Sequence, residues 1–275
     1  MSDASPTTAA EVDMDRERAA LSDERYMRRA MELACRGLPR VSPNPRVGAL
    51  LVRAGQVVGE GTYDHFGGPH AEITALHTAG DSARGATLYA TLEPCCITAK
   101  TPPCTEALIR AGIKRAVVAV RDANPRVDGG GINRLRAAGI KVTTGVLDRE
   151  AAWLNRGFFK WITSGKPYVI LKVARTVDNF VAAHLTGEGW FTSGASRRLV
   201  HKLRAEVDGV IVGRRTAEVD NPRLTVRETA GSNPRRIVLD SQGRLAPELN
   251  VFTDGLAVTL QITGREGSES TPWGE

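Results

Sequence analysis

The sequence predicts an α/β fold in two units, and three features of the chain support this prediction. Short apolar runs with the length of strands alternate with stretches in which apolar residues recur with a helical period. Such alternation is typical of layered α/β domains. The chain has 275 residues, more than one average domain, and glycine, lysine and proline at 165–167 interrupt the pattern. We therefore expect a first unit over 23–165 and a second over 166–275, preceded by a mobile tail at 1–22.

The elements of each unit follow from the period of the apolar residues. In the first unit we expect a helix over 23–37, a hairpin over 47–61, helices over 70–78, 104–111 and 132–138, and strands over 86–91, 115–120 and 141–146. In the second unit we expect a helix over 196–205 and strands over 168–174, 207–213 and 236–240. The first unit therefore reads as a layered domain in which strands lead directly into helices.

Composition and charge narrow the classes of function. The chain is 41% hydrophobic and 25% charged, which is ordinary for a globular protein with sizeable cores. Lysine and arginine number 37 against 31 aspartates and glutamates, a mild excess that suits a phosphorylated small molecule. No run of like charge predicts a nucleic-acid tail, and no apolar run reaches the ~18 residues of a membrane span. We therefore expect a cytoplasmic protein with reduced thiols and with neither a nucleic-acid nor a membrane partner.

The stretch from His70 to Cys104 carries the strongest chemical signal. His70, Cys95 and Cys104 supply three ligands of the kind that zinc prefers, which leaves a fourth tetrahedral position for water. Glu72 follows His70 closely enough to move protons without binding the metal. Nucleobase deaminases need this set, because the metal lowers the pKa of a water and a carboxylate that is not a ligand shuttles its proton. The pattern therefore predicts a catalytic zinc site.

Two other interpretations of these residues stay open. The cysteines could be buried thiols, or Cys96 could be the fourth ligand of a closed structural zinc site. Adjacent cysteines seldom reach one metal together, however, and Glu72 would then have no task. We therefore interpret Cys96 as a packed neighbour of the metal site.

Five short motifs in the first unit are specific enough to compare with known families. They are SPNPRVG at 42–48, HAE at 70–72, YATLEPC at 89–95, TPPC at 101–104 and DANP at 122–125. Eight residues separate the two cysteine ligands, where deaminases of tRNA adenosine or free cytidine typically have two. Together the motifs resemble the bacterial riboflavin-pathway bifunctional deaminase/reductase family.

That resemblance implies a cytidine-deaminase-like three-layer domain and a specific reaction. The reaction is hydrolytic deamination of a diaminohydroxy-pyrimidine that carries a ribosylamino 5'-phosphate. Zinc would be held by the three ligands named above, and Glu72 would pass protons to the ring and the leaving amine. Asn44 and Lys100 match family positions that hold the substrate. Asn44, between two prolines, is equally compatible with a role as a turn residue.

The second unit resembles the family's reductase half, which has a dihydrofolate-reductase-like fold and uses NADPH to reduce the ribose. The matching motifs are LKVA at 171–174, WFTS at 190–193, LRA at 203–205, DNP at 220–222, LTVR at 224–227 and RIVLDS at 236–241. By this resemblance the NADP site is lined by Ala174, Trp190, Thr216, Asp220 and Ser241. The residues expected to contact substrate are Arg204, Leu224 and Arg227, with the arginines as phosphate forks or, alternatively, as solvated surface charges.

The chain departs from the family pattern at a few places. Tyr63 and Ile97 stand where the family has histidines that touch the substrate, so we expect an altered pyrimidine pocket. The usual Ser-Leu-Asp-Gly of the reductase reads Thr-Val-Asp-Asn at 176–179. The family also continues past the last residue with a Glu-Gly-Gly segment that cradles the NADPH phosphates, so we expect an incomplete reductase half.

Four functions can be weighed against these residues. The first is a riboflavin-pathway pyrimidine deaminase with an incomplete reductase domain, and the second is a zinc deaminase of a related pyrimidine or pterin-like base. The third, a non-catalytic binding or scaffolding relative, is disfavoured by the full set of ligands at working spacing. The fourth, a nucleic-acid-editing deaminase, is disfavoured by the long cysteine spacing. We also expect a homo-oligomer.

Overall fold

The structure is a computed structural model that describes residues 9–37, 41–98, 102–180 and 192–264. By its internal contacts the chain forms two compact units, Met1–Val169 and Ile170–Glu275. Strands and helices occur in both units, and the α/β class predicted from the sequence is confirmed. Within the described residues, no helix is both long enough and apolar enough to cross a bilayer.

The first unit contains one mixed sheet with helices on both sides. Its strands are β1 (Gly48–Arg53), β2 (Gln56–Thr62), β3 (Thr87–Leu92), β4 (Arg115–Val120) and β5 (Lys141–Thr144). Its helices are α1 (Ala9–Ala34), α2 (Ala71–Ala79), α3 (Cys104–Ala111), α4 (Gly130–Ala137), α5 (Asp148–Leu154) and α6 (Arg156–Ser164). The strand order is β2-β1-β3-β4-β5, in which β1 is antiparallel to both neighbours and β3, β4 and β5 are parallel.

Successive residues of the central strands point into two separate cores, which makes the unit three layers thick. Leu51 and Leu88 face the core that is covered by α2, α3 and α4. Leu50 and Tyr89 face the opposite core, which is covered by α1 and α5. The parallel strands β3 and β4 are therefore buried on both faces, and their apolar runs reflect that burial. The three-layer domain expected from the resemblance is confirmed.

Glycines in β1 and β2 let two helices lie unusually close to the sheet. A Cβ atom at Gly61 would lie 2.0 Å from the carbonyl oxygen of Ala71 in α2, and one at Gly59 would lie 2.3 Å from that of Ala75. On the other face, a Cβ atom at Gly48 would lie 1.9 Å from the carbonyl oxygen of Ala30. Any side chain at these positions would push the helix away, so the glycines set the height of α1 and α2 above the sheet.

Residues 9–22, expected as part of a mobile tail, are helical, because α1 begins at Ala9. This segment consists largely of alanine, glutamate and arginine, which are strong helix formers. Its polar residues recur on every side of a helix, so no apolar stripe indicates the helix in the sequence. Residues 1–8 lie outside the described residues.

A buried ion pair joins α1 to the sheet. The Arg115 nitrogens Nη1 and Nη2 lie 2.9 Å and 2.6 Å from the two carboxylate oxygens of Asp23. The Tyr89 hydroxyl donates a further hydrogen bond to Asp23 Oδ1 at 2.8 Å. The Asp23 side chain is only 8% exposed, so its carboxylate depends on these partners rather than on water.

We expect Arg115→Ala to lower the free energy of unfolding of the first unit by about 2–4 kcal/mol, because it leaves the Asp23 carboxylate buried without its cation. Urea unfolding followed by tryptophan fluorescence and circular dichroism measures the change. Arg134→Ala is the matched control, since Arg134 pairs with Glu106 on the surface and such pairs contribute little. Equal destabilisation by the two substitutions would contradict the assigned role of the Asp23 pair.

The second unit is built on a three-stranded parallel sheet. Its elements are α7 (Gly194–Glu206), β6 (Gly209–Gly213), α8 (Arg214–Asp220), β7 (Arg235–Leu239), α9 (Asn250–Thr253) and β8 (Thr259–Ile262), with strand order β6-β7-β8. A small core formed around Val238, Val251 and Ala217 lies between the sheet and α8 and α9. The helix predicted over 196–205 and the strands predicted over 207–213 and 236–240 are present with shifted ends.

The strand predicted over 168–174 is wrong, because the described residues there form neither strand nor helix. Val169 and Leu171 in this segment are 79% and 85% exposed. The apolar, β-branched composition has a high strand propensity, but propensity is realised only when a neighbouring strand pairs with the segment. The described part of the chain places no such strand beside it.

Candidate metal centre and substrate pocket

Two strand–loop–helix segments carry the residues expected to form the metal site. His70 is the N-cap of α2, and Glu72 lies in the first turn of that helix. Cys95 follows β3 in the loop, and Cys104 is the first residue of α3. Because β1 is antiparallel to both β2 and β3, those two strands run in the same direction, and the loops that follow them open at the same edge of the sheet. The topology thus brings together residues that are far apart in the chain.

The three expected ligands converge on one point. His70 Nδ1 lies 3.1 Å from Cys104 Sγ and 3.5 Å from Cys95 Sγ, and all three ligand atoms lie within 4.8 Å of one another. Tetrahedral zinc with ordinary bond lengths separates such ligand atoms by roughly 3.5–3.8 Å. The donor set, one imidazole and two thiols, is also the type that zinc selects. The residues present therefore fit a zinc ion.

Electrostatics in this cluster favour the thiolate form of Cys95 and the protonated form of Cys104. The pKa of Cys95 is lowered to about 4, chiefly by a hydrogen bond from Cys104 and to a lesser extent by one from His70. The hydrogen bond to Cys95, followed by burial, raises the pKa of Cys104, because Cys104 keeps the proton that it donates to the Cys95 thiolate. Repulsion between two adjacent thiolates acts in the same direction. A bound dication offsets this repulsion and deprotonates both thiols.

Glu72 is a buried carboxyl group beside the expected metal ligands. Its residue is 3% exposed, and burial raises its pKa to about 7, with the His70 charge acting in the opposite direction. A carboxyl with a pKa near 7 can both take and give a proton at neutral pH. Glu72 lines the pocket but is not one of the three clustered ligands, which is the arrangement that proton transfer needs.

Glu93 fixes the loop that carries Cys95. Its carboxylate accepts three backbone N–H bonds, from Asp122 at 3.1 Å, Gly129 at 3.0 Å and Ile132 at 3.0 Å. The last two of these groups flank the start of α4, where a helix N-terminus favours a negative charge. A single buried side chain thus ties the end of β3 to α4 and to the loop after β4. The sequence alone gave Glu93 no role.

A pocket opens beside the metal ligands. Of the expected substrate residues, Asn44 lines it, and Lys100 lies outside the described residues. The family departures Tyr63 and Ile97 line it as well. The remaining wall includes residues for which the sequence predicted no role, namely Asp122, Asn124, Val127 and Phe158. Asp122 and Asn124 belong to the DANP motif and follow β4, and their position at the end of a parallel strand was the available signal.

Asp122 is buried at this pocket, and burial raises the pKa of its carboxyl to about 6. Between pH 4 and 6 the folded protein therefore holds a proton that the unfolded chain releases, so stability falls as the pH rises through this window. At pH 7 we expect Asp122→Asn to raise the free energy of unfolding of the zinc-free protein by about 1–2 kcal/mol. Urea unfolding of both proteins at pH 4 and pH 7 tests this prediction. The same difference in free energy of unfolding between variant and native chain at both pH values would contradict it.

The expected reductase residues are only partly brought together. Arg204 Nη1 donates to the Thr225 carbonyl oxygen at 2.7 Å, and Arg227 Nη1 donates to the Thr225 hydroxyl at 3.0 Å. Burial and the charge of Arg227 lower the pKa of Arg204, so the two guanidinium groups sense each other. Leu224 is buried in the core of the unit rather than at a surface.

The expected NADP residues lie at several places in the second unit. Thr216 and Asp220 are exposed on α8 one turn apart, and Ser241 is exposed just after β7. Ala174 is half-buried in the irregular segment, and Trp190 lies outside the described residues. The described residues therefore show a shared helix face for two of the five expected NADP residues.

Two family models match separate parts of the chain, one in each of its two units. Residues 21–120 match the cytidine and deoxycytidylate deaminase zinc-binding region, and residues 167–271 match the RibD C-terminal domain. The chain is thus a zinc-dependent deaminase joined to a reductase-type domain. Riboflavin biosynthesis protein RibD of Aquifex aeolicus is 45% identical over 90% of this chain and 70% of its own length, and that of Synechocystis is 42% identical over 91% and 68%. The chain belongs to the RibD family of riboflavin biosynthesis proteins.

Solved structures agree with this assignment. A Thermotoga maritima diaminohydroxyphosphoribosylaminopyrimidine deaminase/5-amino-6-(5-phosphoribosylamino)uracil reductase has a TM-score of 0.84 at 42% identity, over 92% of this chain and 73% of its own. Acinetobacter baumannii RibD has a TM-score of 0.77 at 39% identity, over 88% and 74%. The predicted zinc deaminase, the reductase domain with NADPH as its cofactor and the place in riboflavin biosynthesis are confirmed and favoured over the scaffolding and nucleic-acid-editing alternatives.

Proposed function

We propose that the first unit deaminates 2,5-diamino-6-(5-phosphoribosylamino)pyrimidin-4-one by hydrolysis. The observation that carries this proposal is the convergence of His70, Cys95 and Cys104 at one edge of a pocket that Glu72 also lines. The name of the Thermotoga relative supports the substrate class. The mild excess of arginine and lysine suits its phosphate.

Zinc bound at this centre would supply a Lewis acid that makes water nucleophilic at neutral pH. The role of the chain is then to place and move protons. Glu72, buried beside the expected ligands, takes one proton from water to the ring nitrogen and carries a second, from the hydroxyl that adds to the ring, to the leaving amine. His70, Cys95 and Cys104 would hold the metal, and Asn44, which lines the pocket, would hold the pyrimidine. The low solvent exposure of Glu72 keeps its proton on this path.

We further propose that the second unit binds a phosphate of its substrate at Arg204 and Arg227. Both guanidinium groups contact Thr225, and neither has an ion-pair partner within the described residues. Two neighbouring cations without a carboxylate favour an anion between them. Ala174, Thr216, Asp220 and Ser241, together with Trp190, stay predictions for the NADPH site. The cytoplasmic location and the homo-oligomer also stay predictions, and size-exclusion chromatography with light scattering tests the second.

The deaminase proposal is tested by an ammonia assay. The zinc-loaded protein is incubated with the phosphoribosylamino-pyrimidine, and released ammonia is measured against cytidine, deoxycytidylate and a pterin. We expect turnover of the phosphoribosylamino-pyrimidine to exceed that of the others by at least about 100-fold in kcat/KM, because the pocket and the basic balance suit this substrate. Preferential turnover of another base would instead favour the related-base alternative.

A further inference from the structure

Tyr63 is buried at the pocket wall and joins three parts of the site. Its residue is 4% exposed, and it directly follows β2. Its hydroxyl accepts a hydrogen bond from Asn44 Nδ2 at 2.7 Å and another from the Gly67 backbone N–H at 3.0 Å. Its ring packs edge-on against the His70 imidazole, with centroids 5.6 Å apart and an angle of 82°. Both Tyr63 and Asn44 line the pocket.

These contacts leave one donor and one acceptor unused. A phenol oxygen has two lone pairs, and the two N–H groups occupy both of them, so the hydroxyl hydrogen is free to donate. Within the part of the chain that the structure describes, this hydrogen has no acceptor. The Asn44 amide nitrogen is held by Tyr63, and its Oδ1 atom accepts from no described residue. A buried donor without an acceptor is unfavourable, so the pair is suited to a ligand.

We propose that Tyr63 is a specificity-determining residue that presents, with Asn44, a donor next to an acceptor. The complementary ligand has a carbonyl oxygen next to an N–H group, which is the lactam edge of a pyrimidinone. The Tyr63 hydroxyl donates to the carbonyl, and Asn44 Oδ1 accepts from the ring N–H. This inference rests on the proposed deaminase function and deepens it, because it states which edge of the base the pocket reads.

A purely structural role for Tyr63 makes a different prediction. Tyr63 could serve only to fix the loop at Gly67, and its loss would then weaken every ligand equally. Recognition of the lactam edge requires that its loss weaken one class of ligand selectively. Selectivity between two bases that differ at this edge alone therefore separates the two roles.

The experiment compares binding of isocytosine, which has the lactam edge, with binding of 2,4-diaminopyrimidine, which has an amino group in place of the carbonyl. Calorimetry on the full zinc-loaded chain is used for the native protein, Tyr63→Phe and Tyr26→Phe. Tyr26 is the matched control, because its buried hydroxyl donates to the Gly55 carbonyl oxygen away from the pocket. Zinc content and circular dichroism verify that each variant is folded.

We expect the native protein and Tyr26→Phe to prefer isocytosine by about 10- to 100-fold, and Tyr63→Phe to lose at least about a tenfold part of this preference. Asn44→Ala should reduce the preference similarly, and the double variant should be no worse than either, because the two groups act as a pair. Equal or undetectable binding of the two bases by the native protein overturns the inference, as does an unchanged preference in Tyr63→Phe.

These outcomes are separable from those of the deaminase proposal. Base preference without release of ammonia would remove the proposed reaction and keep the recognition role of Tyr63. Release of ammonia without any base preference would keep the reaction and remove the recognition role. Where both hold, Tyr63→Phe is expected to raise KM for the phosphoribosylamino-pyrimidine about tenfold with a smaller change in kcat.

Discussion

Replacement of Glu72 by glutamine is expected to lower kcat for deamination by about 10³-fold, because an amide cannot take up or return a proton. The substitution conserves size, and Glu72 is not among the three clustered ligands, so zinc content should stay at the native level. Steady-state ammonia release and metal analysis on the same preparation measure both effects.

The matched control for this prediction is Glu106→Gln. Glu106 also lies in the first turn of a helix that carries a zinc ligand, α3, but it pairs with Arg134 on the surface. We expect this variant to retain native kcat and zinc content. Full activity in Glu72→Gln, or an equal loss in the two variants, would remove Glu72 from the assigned role.

Replacement of Cys104 by serine is expected to abolish both zinc retention and deamination. Cys104 is fully buried, and its Sγ atom lies 3.1 Å from His70 Nδ1. The substitution therefore removes one of the three clustered ligand atoms. A ligand at a thousand times its Kd stabilises a fold by about 4 kcal/mol, so the first unit should also unfold at lower temperature. Metal analysis and thermal unfolding, each with and without added zinc, measure these effects.

Cys35→Ser provides the control for loss of a thiol. Cys35 is exposed at the end of α1, far along the chain from the ligand loops, and its replacement should leave zinc content and unfolding temperature unchanged. Chelation of the native protein should reproduce the behaviour of Cys104→Ser and be reversed by zinc. A Cys104→Ser protein that keeps stoichiometric zinc would contradict the assigned ligand set.

The clustering of His70, Cys95 and Cys104, the expected metal ligands, was predictable from sequence because local order constrains these residues. His70 and Glu72 lie within one turn of each other, and Cys95 and Cys104 bracket a single short loop, so spacing alone indicates their chemistry. Asp122, Asn124 and Phe158 reach the pocket only through the order of the sheet and the path of α6. Sequence pattern predicts which segments are strands but not which loops become neighbours.

The remaining errors have separate physical causes. The start of α1 was missed because its first turns are helix formers without an apolar face, and periodicity detects only helices that bury one side. The run at 168–174 was assigned to a strand from composition, but pairing decides whether a strand forms. Leu224, placed at the substrate by resemblance, packs in the core of its unit, and its contact with substrate stays a prediction. Neither strand propensity nor resemblance to a family states which neighbouring elements a residue packs against.

The backbone-to-backbone contacts at Gly59 and Gly61 bear on how this enzyme could be engineered. They hold the helix that carries His70 and Glu72 without relying on the size of any side chain. Much of the remaining pocket lining, by contrast, is made of side chains on connecting loops, such as Asn44 and Asn124. Directed evolution toward a new base can therefore vary these lining residues without moving the helix that carries His70 and Glu72.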